Sequence, residues 1–567
     1  MNQPRPAIVA QASVRRLPRL ALLLFCLAYL LPGFIDRMPW RSADVSAFGY
    51  MRELALGHTD WLAPLLGSQP PEVDALLPYW LGAWAMQLAP GWIAADFAAR
   101  LPFITLLALA LAATWYGCYS LARSPQAQPV AFAFGGEAQP RDYARAIADG
   151  ALLALIASLG LAQLSHETTP AQAQLGFGAL AFYAAAALPY HALGAALAGC
   201  LGFAGLALSG APTLAALLVC GVLLMYWTRG SGAQTSGQNR AVWIGALWLL
   251  LVVVLASLLD LWRWRLLLPA ELVQWQSRAS LLLWFTWPTW PLALLTLWRW
   301  RRQMLGQSWH LPLMLPLWFT LIHLLTALFT EAADRGLLPA LPSLAVLAAF
   351  ALPTLRRSLS SLIDWFTLLF FTGCAVIIWV VWLAMQTGFP PQPAANVARL
   401  LPGFEPRFVI LPFVFAVLAS LAWFWLVHWR VGRHRAALWK SMVLPAGGAA
   451  LCWLLLTTLW MPALDFARSF RPLIHRIEAR VPATDCLQTF GLSRGLQAAF
   501  GFHSSLRLEP ATDNSACGWL LIERDIVTQT PEIVNVARWQ VHSQLAHPRE
   551  GEEDLVLFER LKASPSQ

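Results

Sequence analysis

Charged residues are scarce in this chain of 567 residues. Only 12% of them are Asp, Glu, Lys or Arg, whereas soluble domains usually carry about 25%. Hydrophobic residues make up 58%, and the mean hydropathy is +0.56. This composition excludes an ordinary soluble enzyme, because too little polar surface is available to face water. Most of the chain is therefore expected to lie in lipid.

Lysine is almost absent, since Lys440 and Lys562 are the only two in the sequence. The net charge of +9, from 39 basic and 30 acidic residues, is thus carried by arginine. These arginines cluster in short segments between apolar runs, which is typical of cytoplasmic loops in membrane proteins. A nucleic-acid-binding protein would instead place them on one basic face. We therefore expect no nucleic-acid partner.

The signatures of several soluble enzyme classes are also missing. The sequence contains no phosphate-binding glycine loop, no HExxH, no GxSxG and no zinc-type cysteine pairs. Six of the eight cysteines lie in apolar runs and are interpreted as small core residues. Cys486 and Cys517 lie in the polar tail, where an oxidising compartment would allow a disulfide; paired and unpaired states are equally compatible with the sequence.

Apolar runs of spanning length are what the chain does have. The first, at about 20–34, follows Arg15, Arg16 and Arg19 and lacks a small-residue cleavage site, which favours an uncleaved first span. Twelve further runs of about 20 residues follow. Their centres lie near residues 110, 156, 181, 199, 219, 251, 289, 320, 346, 374, 418 and 450. The sequence therefore predicts a polytopic α-helical membrane protein with about thirteen transmembrane helices.

The distribution of arginine predicts the orientation of these spans. Basic loops follow every even-numbered span except the fourth, where the link at 189–191 is too short to judge. The N-terminus is then cytoplasmic, and an odd number of spans places the C-terminal tail in the periplasm. We expect a multi-pass protein of the bacterial inner membrane, with a transmembrane domain at 1–462 and a soluble periplasmic α/β domain at 463–567.

Two segments outside the spans have their own pattern. The first outer loop, 32–100, is long, and its short apolar stretches at 51–56 and 76–88 are expected to form interfacial helices. In the tail, strands are predicted at 518–522, 539–545 and 555–561, and helices at 494–500 and 531–538.

Charged groups beside membrane spans are costly, so those on the outer face are the best functional candidates. Asp44, just after the first span, could serve as a general base if Arg41 or Arg52 orients it. A solvated or ion-paired loop aspartate is the alternative, and the local chemistry alone favours that alternative.

A second candidate is the pair His166 and Glu167, between the third and fourth predicted spans. These side chains could position an acceptor, or bind a divalent metal ion together with Asp44. Alternatively, Thr168 and Thr169 before Pro170 form a helix N-cap that Glu167 merely supports. The local sequence fits the functional site and the helix cap equally well. The ligands of any metal ion stay unassigned.

Arginines in the later outer loops form a third group. Arg263 and Arg265 follow the seventh predicted span, and Arg335 follows the ninth. Arginine grips a phosphate bidentately, so these residues could bind a lipid phosphate. They could equally be interfacial residues that extend towards water. The sequence favours phosphate binding for Arg335 and the interfacial role for the other two.

The layout resembles the GT-C integral-membrane glycosyltransferases, which include the lipid A aminoarabinose transferases and, more distantly, the protein O-mannosyltransferases. The resembling segments are 43–54, 57–64, 77–83, 100–102, 335–342 and 469–473. The resemblance implies a GT-C fold, an essential acid at Asp44 and a second acid at Glu167, with His166 beside it. For the phosphate of a lipid-linked donor, the arginines of the outer loops are our candidates: Arg41, Arg52, Arg263, Arg265 and Arg335.

The resemblance implies that the protein transfers a sugar from a polyprenyl-phosphate carrier, undecaprenyl phosphate, to an acceptor. The configuration at the anomeric carbon would be inverted, with Asp44 as the base. The acceptor would be lipid A, a glycan or a protein at the periplasmic face. The chain departs from the family at Asp74, which stands where lysine is usual, and at Val45, where an acid is frequent. The sugar and the metal requirement therefore stay open. A lipid or glycan transporter and a non-catalytic degenerate homologue are the alternatives.

Overall fold

The computed structural model describes most of the chain. The described residues are 6–40, 42–228, 236–263, 271–305, 310–330, 333–431, 437–482, 485–512, 515, 517–524, 538–545 and 554–561. Most of this part is helical, and a small β-sheet lies near its C-terminal end. The helices are α1 (Arg19–Leu30), α2 (Ala43–Leu56), α3 (Leu77–Leu88), α4 (Ala95–Ala122), α5 (Pro140–Ala157), α6 (Pro170–Ala187), α7 (Ala192–Leu208), α8 (Pro212–Thr228), α9 (Ser236–Leu258), α10 (Leu272–Phe285), α11 (Thr289–Met304), α12 (Leu311–Leu328), α13 (Ala333–Leu337), α14 (Leu341–Ala349), α15 (Arg357–Thr387), α16 (Pro391–Leu400), α17 (Ile410–Val431), α18 (Lys440–Leu459), α19 (Met461–Arg468), α20 (Arg471–Glu478) and α21 (Arg494–His503).

All thirteen predicted apolar centres fall in helices, but fewer helices meet the length and composition of a membrane span. Seven helices of the described residues do. The number rises to nine if two bent pairs each count as one span: α5 with the short turns that follow it, and α10 with α11. The other four predicted positions hold α1, α6, α7 and α8. Three of these are shorter apolar helices, and α6 carries Gln172 and Gln174. The chain is a multi-pass membrane protein.

Small residues let the central helices α4, α6 and α7 approach each other closely. A side chain at Gly202 of α7 would place its Cβ 2.6 Å from the backbone nitrogen of Ala181 in α6. A Cβ at Gly176 of α6 would lie 3.0 Å from the carbonyl oxygen of Leu106 in α4. Such contacts are typical of helix packing in membranes. Helix α6 begins at Pro170, directly after the turn that carries Glu167, with proline at a helix start where its missing N–H costs little.

The first outer loop contains the two short helices α2 and α3; α3 matches the predicted stretch 76–88, whereas α2 begins eight residues before the predicted stretch 51–56. Their position in the membrane interface stays a prediction. α2 ends at Gly57, whose φ of +74° is the left-handed conformation that glycine adopts at helix ends. Helix α2 also packs against α21 of the tail, where the rings of Phe48 and Phe502 lie 4.9 Å apart. The tail therefore rests on the helix that carries Asp44.

The tail contains a five-stranded sheet of order β2-β1-β3-β5-β4. Its strands are β1 (Cys486–Phe490), β2 (Arg507–Pro510), β3 (Trp519–Glu523), β4 (Trp539–Leu545) and β5 (Leu555–Arg560). β1 is parallel to β2 and β3, whereas β5 is antiparallel to β3 and β4. The three predicted strands and the predicted helix at 494–500 are confirmed. β1 and β2 were not predicted, and most of the predicted helix at 531–538 lies outside the described residues.

Candidate active site

Asp44 lies in the first turn of α2, with only 1% of its surface exposed. Its Oδ1 accepts the backbone N–H of Thr168 at 2.6 Å and the hydroxyl of the same residue at 2.7 Å. Its Oδ2 accepts the backbone N–H of Trp40 at 3.0 Å. Donors from two loops that are distant in sequence therefore converge on a single carboxylate.

Arg37 neutralises this carboxylate. One of its terminal nitrogens lies 3.1 Å from Asp44 Oδ2, and the other donates to the carbonyl oxygen of His166 at 2.6 Å. Its side chain is 1% exposed, so the ion pair is shielded from water. Arg100, which is also buried, donates to the carbonyl oxygen of Phe34 and pairs with Asp96. Neither arginine was predicted as a site residue, although the position of each at an outer membrane boundary is a signal of function in the sequence.

Glu167 is the second acid, and it directly precedes the Thr168 that binds Asp44. Its Oε2 lies 3.1 Å from a terminal nitrogen of Arg335, and its Oε1 accepts from Gln163 at 3.3 Å. Glu167 is 2% exposed, whereas the side chain of Arg335 is 23% exposed. The structure therefore brings Asp44, Glu167 and Arg335 together, and of these three only Arg335 reaches the surface appreciably.

The pKa values of the two acids are shifted in opposite directions. Burial would raise the pKa of Asp44, but the guanidinium of Arg37 and the N–H donors of Thr168 and Trp40 hold it below its usual range. Burial raises the pKa of Glu167 above its usual range against the opposing effect of Arg335, and the charge of Asp44 adds to that rise. Asp44 is thus the more readily ionised acid.

His166 is enclosed by its neighbours. Its Nδ1 lies 2.5 Å from the carbonyl oxygen of Ala162, and its Nε2 lies 3.1 Å from that of Tyr29. The ring packs between Phe34 and Trp453, with centroid distances of 4.9 and 4.7 Å. With both ring nitrogens next to backbone oxygens, the geometry favours a packing role for His166 rather than proton transfer.

The other predicted arginines lie elsewhere. Arg52 pairs with Glu53 at 3.1 Å, and Arg263 pairs with Asp74 at 3.0 Å. Arg263 therefore bridges the loop after α9 to the first outer loop. Arg41 and Arg265 lie outside the described residues.

The geometry also bears on metal binding. Asp44 and Glu167 are each paired with an arginine, so they form ion pairs rather than a preformed cation site. In the part of the chain that the structure describes, one group of possible metal ligands converges: Cys486, Glu509 and Cys517. The two cysteines are joined by a disulfide, with their Cα atoms 5.0 Å apart. That bond removes both thiolates as ligands.

Two crystal structures of ArnT from Cupriavidus metallidurans match the fold over nearly its whole length. The structure bound to undecaprenyl phosphate has a TM-score of 0.59 and 14% identity, covering 97% of this chain and 100% of that one. The apo structure has a TM-score of 0.57 and 15% identity, covering 95% and 98%. No protein-family model and no curated protein sequence matches the chain. The chain therefore has the ArnT fold, the GT-C arrangement that the sequence resemblance implies.

Proposed function

We propose that this protein is an inner-membrane glycosyltransferase that takes a sugar from an undecaprenyl-phosphate-linked donor. The acceptor is a lipid, glycan or protein at the periplasmic face, where the C-terminal domain also lies. The observation that carries the proposal is the convergence of two buried acids and a partly exposed arginine in a chain with the ArnT fold. One ArnT structure with this fold holds undecaprenyl phosphate.

Arg335 is the proposed ligand of the donor phosphate. It is the most exposed member of the three-residue site, and a guanidinium matches the geometry of a phosphate. One terminal nitrogen of Arg335 lies next to Glu167 and the other lies 3.7 Å from Asp334, so a lipid phosphate that reaches Arg335 competes with both acids. Glu167 therefore acts as the counter-ion of Arg335 until the donor binds.

Asp44 is the proposed base. In a direct displacement, an acceptor oxygen or nitrogen bonds to the anomeric carbon while the bond from that carbon to the phosphate oxygen breaks. The proton of the acceptor passes to a carboxylate, and undecaprenyl phosphate leaves with the electron pair of the broken bond. A base must be ionised before it can accept this proton, and Asp44 meets that condition better than Glu167.

Access to Asp44 requires one of its present hydrogen-bond donors to move. The Thr168 hydroxyl can rotate without any shift of the backbone, whereas the backbone N–H groups of Thr168 and Trp40 cannot. If it turns away, the acceptor can bind Oδ1 while Arg37 and Trp40 keep the rest of the carboxylate in place. Arg335 and the hydrogen bonds near it would stabilise the negative charge that develops on the leaving phosphate.

Mass spectrometry of lipids and glycans tests this proposal in cells that lack the protein. We expect a hexose-sized or pentose-sized mass to disappear from one envelope component and to return with the wild-type chain. The variants Asp44→Asn and Glu167→Gln are compared at matched membrane levels. If no mass is lost under any growth condition, or if both variants restore it fully, the proposed reaction at this site is wrong.

A further inference from the structure

The short segment between α1 and α2 is fixed by a residue from the far end of the membrane domain. Asp465 lies in α19, the helix that follows the last span. Its Oδ1 accepts the backbone N–H of Met38 at 2.8 Å and the indole N–H of Trp40 at 3.1 Å. Two donors of one tripeptide therefore converge on one carboxylate oxygen, more than 400 positions away in the sequence.

Two arginines also contact the ring of Trp40. The guanidinium of Arg37 lies 4.8 Å from its ring centroid, and that of Arg468, also in α19, lies 5.1 Å from it. Contacts of this kind between a guanidinium and an indole are favourable, most of all where water is excluded, and Trp40 is 4% exposed. The position of this indole is therefore determined largely by α19 and by the partner of Asp44.

The same residue contacts the proposed catalytic base. The backbone N–H of Trp40 donates to Asp44 Oδ2 at 3.0 Å, and Arg37 binds that same oxygen. A continuous path of hydrogen bonds thus runs from Asp465 through Trp40 to Asp44. Any shift of Trp40 changes how the carboxylate of Asp44 is aimed.

Resting on the proposed transfer reaction, we infer that Asp465 is a positioning residue, which acts through Trp40 to hold Asp44 in the orientation that accepts the proton. The segment after the last span would then be part of the catalytic apparatus rather than only a link to the soluble domain. Small misplacements of a catalytic group cost large factors in rate, because the reacting atoms must be aligned within a fraction of an ångström.

The charge around Asp44 makes this role measurable by pH. Among the residues that the structure describes, the charged groups that act on it include Arg37, Arg100, Glu167 and Arg335. The Trp40 N–H adds a hydrogen bond that favours the ionised carboxylate. Losing this bond makes Asp44 easier to protonate, so the acid limb of kcat/KM moves to higher pH.

The experiment uses the full chain in lipid nanodiscs, with the donor and acceptor that the mass-spectrometry comparison identifies. Asp465→Ala removes both hydrogen bonds to the tripeptide, whereas Asp465→Asn keeps an acceptor oxygen. Trp40→Phe removes the indole N–H that binds Asp465 and keeps a smaller aromatic ring and the backbone N–H to Asp44. Asp554→Asn is the control, because this acid of the tail pairs with Arg524.

We expect Asp465→Ala and Trp40→Phe each to lower kcat about tenfold with little change in the KM for the donor. Both should move the acid limb to higher pH, and the double variant should be no worse than the single ones, since both remove the same link. Asp465→Asn and Asp554→Asn should stay within about twofold of wild type.

The outcomes separate the two proposals. If the wild-type chain transfers sugar and Asp465→Ala has the same kcat and the same acid limb, the positioning role of Asp465 is wrong. The proposed transferase activity is then unaffected. Multiplicative losses in the double variant overturn the path through Trp40. A wild-type chain for which no donor or acceptor can be found in cells overturns both proposals together.

Discussion

At the scale of single residues, the site is a set of ion pairs whose members differ in exposure. Asp44 and Arg37 are closed off from water, whereas Arg335 beside Glu167 is partly open. A buried pair contributes little net stability, because desolvation offsets most of the attraction between the charges. The arrangement is better explained by function, since it keeps one acid ionised and leaves one cation where a lipid phosphate can reach it.

The depressed pKa of Asp44 predicts the pH dependence of the reaction. A base with a lowered pKa stays ionised until the pH falls through that lowered value. An unperturbed aspartate titrates near about 3.9, so kcat/KM should stay flat from pH 7 down to about 5. A pH series of initial rates in nanodiscs measures this. If Glu167 were the base, its raised pKa would bring the loss of activity at higher pH, and Glu167→Gln would abolish it.

The exposure of Arg335 predicts a defect in donor binding. Arg335→Gln removes the guanidinium, so the KM for the lipid-linked donor should rise about tenfold, equivalent to one charge-assisted hydrogen bond of roughly 1.5 kcal/mol. Arg524→Gln, which removes an arginine of the sheet domain paired with Asp554, is the matched control. An unchanged KM in Arg335→Gln would assign the phosphate to another cation, and Arg263→Gln tests the next candidate.

At the scale of helices and strands, the sequence predicts most positions because each signal is local. Runs of apolar residues define the spans, and short runs rich in strand-forming residues define β3 to β5. β1 and β2 escape prediction, since their strands of five and four residues are short and depend on pairing with each other. Asp44 and Glu167 were predicted, but Arg37 and Asp465 were not, because their role depends on contacts between distant segments.

The packing of α21 on α2 links the sheet domain to the site, and it predicts a cost for widening that contact. A Cβ at Gly49 would lie 2.5 Å from the Cβ of Ala498, and neither atom can rotate away. Gly49→Ala should therefore destabilise the protein by about 1–3 kcal/mol and lower activity. Gly91→Ala is the control, because its added Cβ meets no atom within 4 Å. Equal thermal unfolding of both variants would contradict the packing.

At the scale of the whole molecule, the account depends on which side of the membrane the site faces. Helix α2 of the first outer loop carries Asp44 and packs against α21 of the tail. The two acids, the first outer loop and the tail therefore lie on the same side of the protein. The proposed function requires this face to be periplasmic, because the proposed donor is presented at that side. The disulfide between Cys486 and Cys517 agrees with that placement, since disulfides persist in oxidising compartments.

Thiol labelling tests this orientation. In cells with normal periplasmic oxidation, Cys486 and Cys517 should resist alkylation until a reductant is added, and an alkylation gel shift reports this directly. In cells that lack periplasmic disulfide formation, both thiols should react without reductant. The variant Cys486→Ser with Cys517→Ser controls for labelling of the six other cysteines. Thiols that react equally in both strains would place the tail in a reducing compartment.

The central claim is that Asp44 accepts the proton while the donor gives up its sugar. Its most direct test measures release of undecaprenyl phosphate from the lipid-linked donor by purified wild-type protein and by Asp44→Asn, at equal amounts of folded protein. Asparagine keeps one acceptor oxygen, which can serve either Thr168 or Trp40 but not both, and it cannot take a proton. We predict a loss of at least about a hundredfold in kcat, the typical contribution of a general base. Release by Asp44→Asn within twofold of wild type would contradict the account.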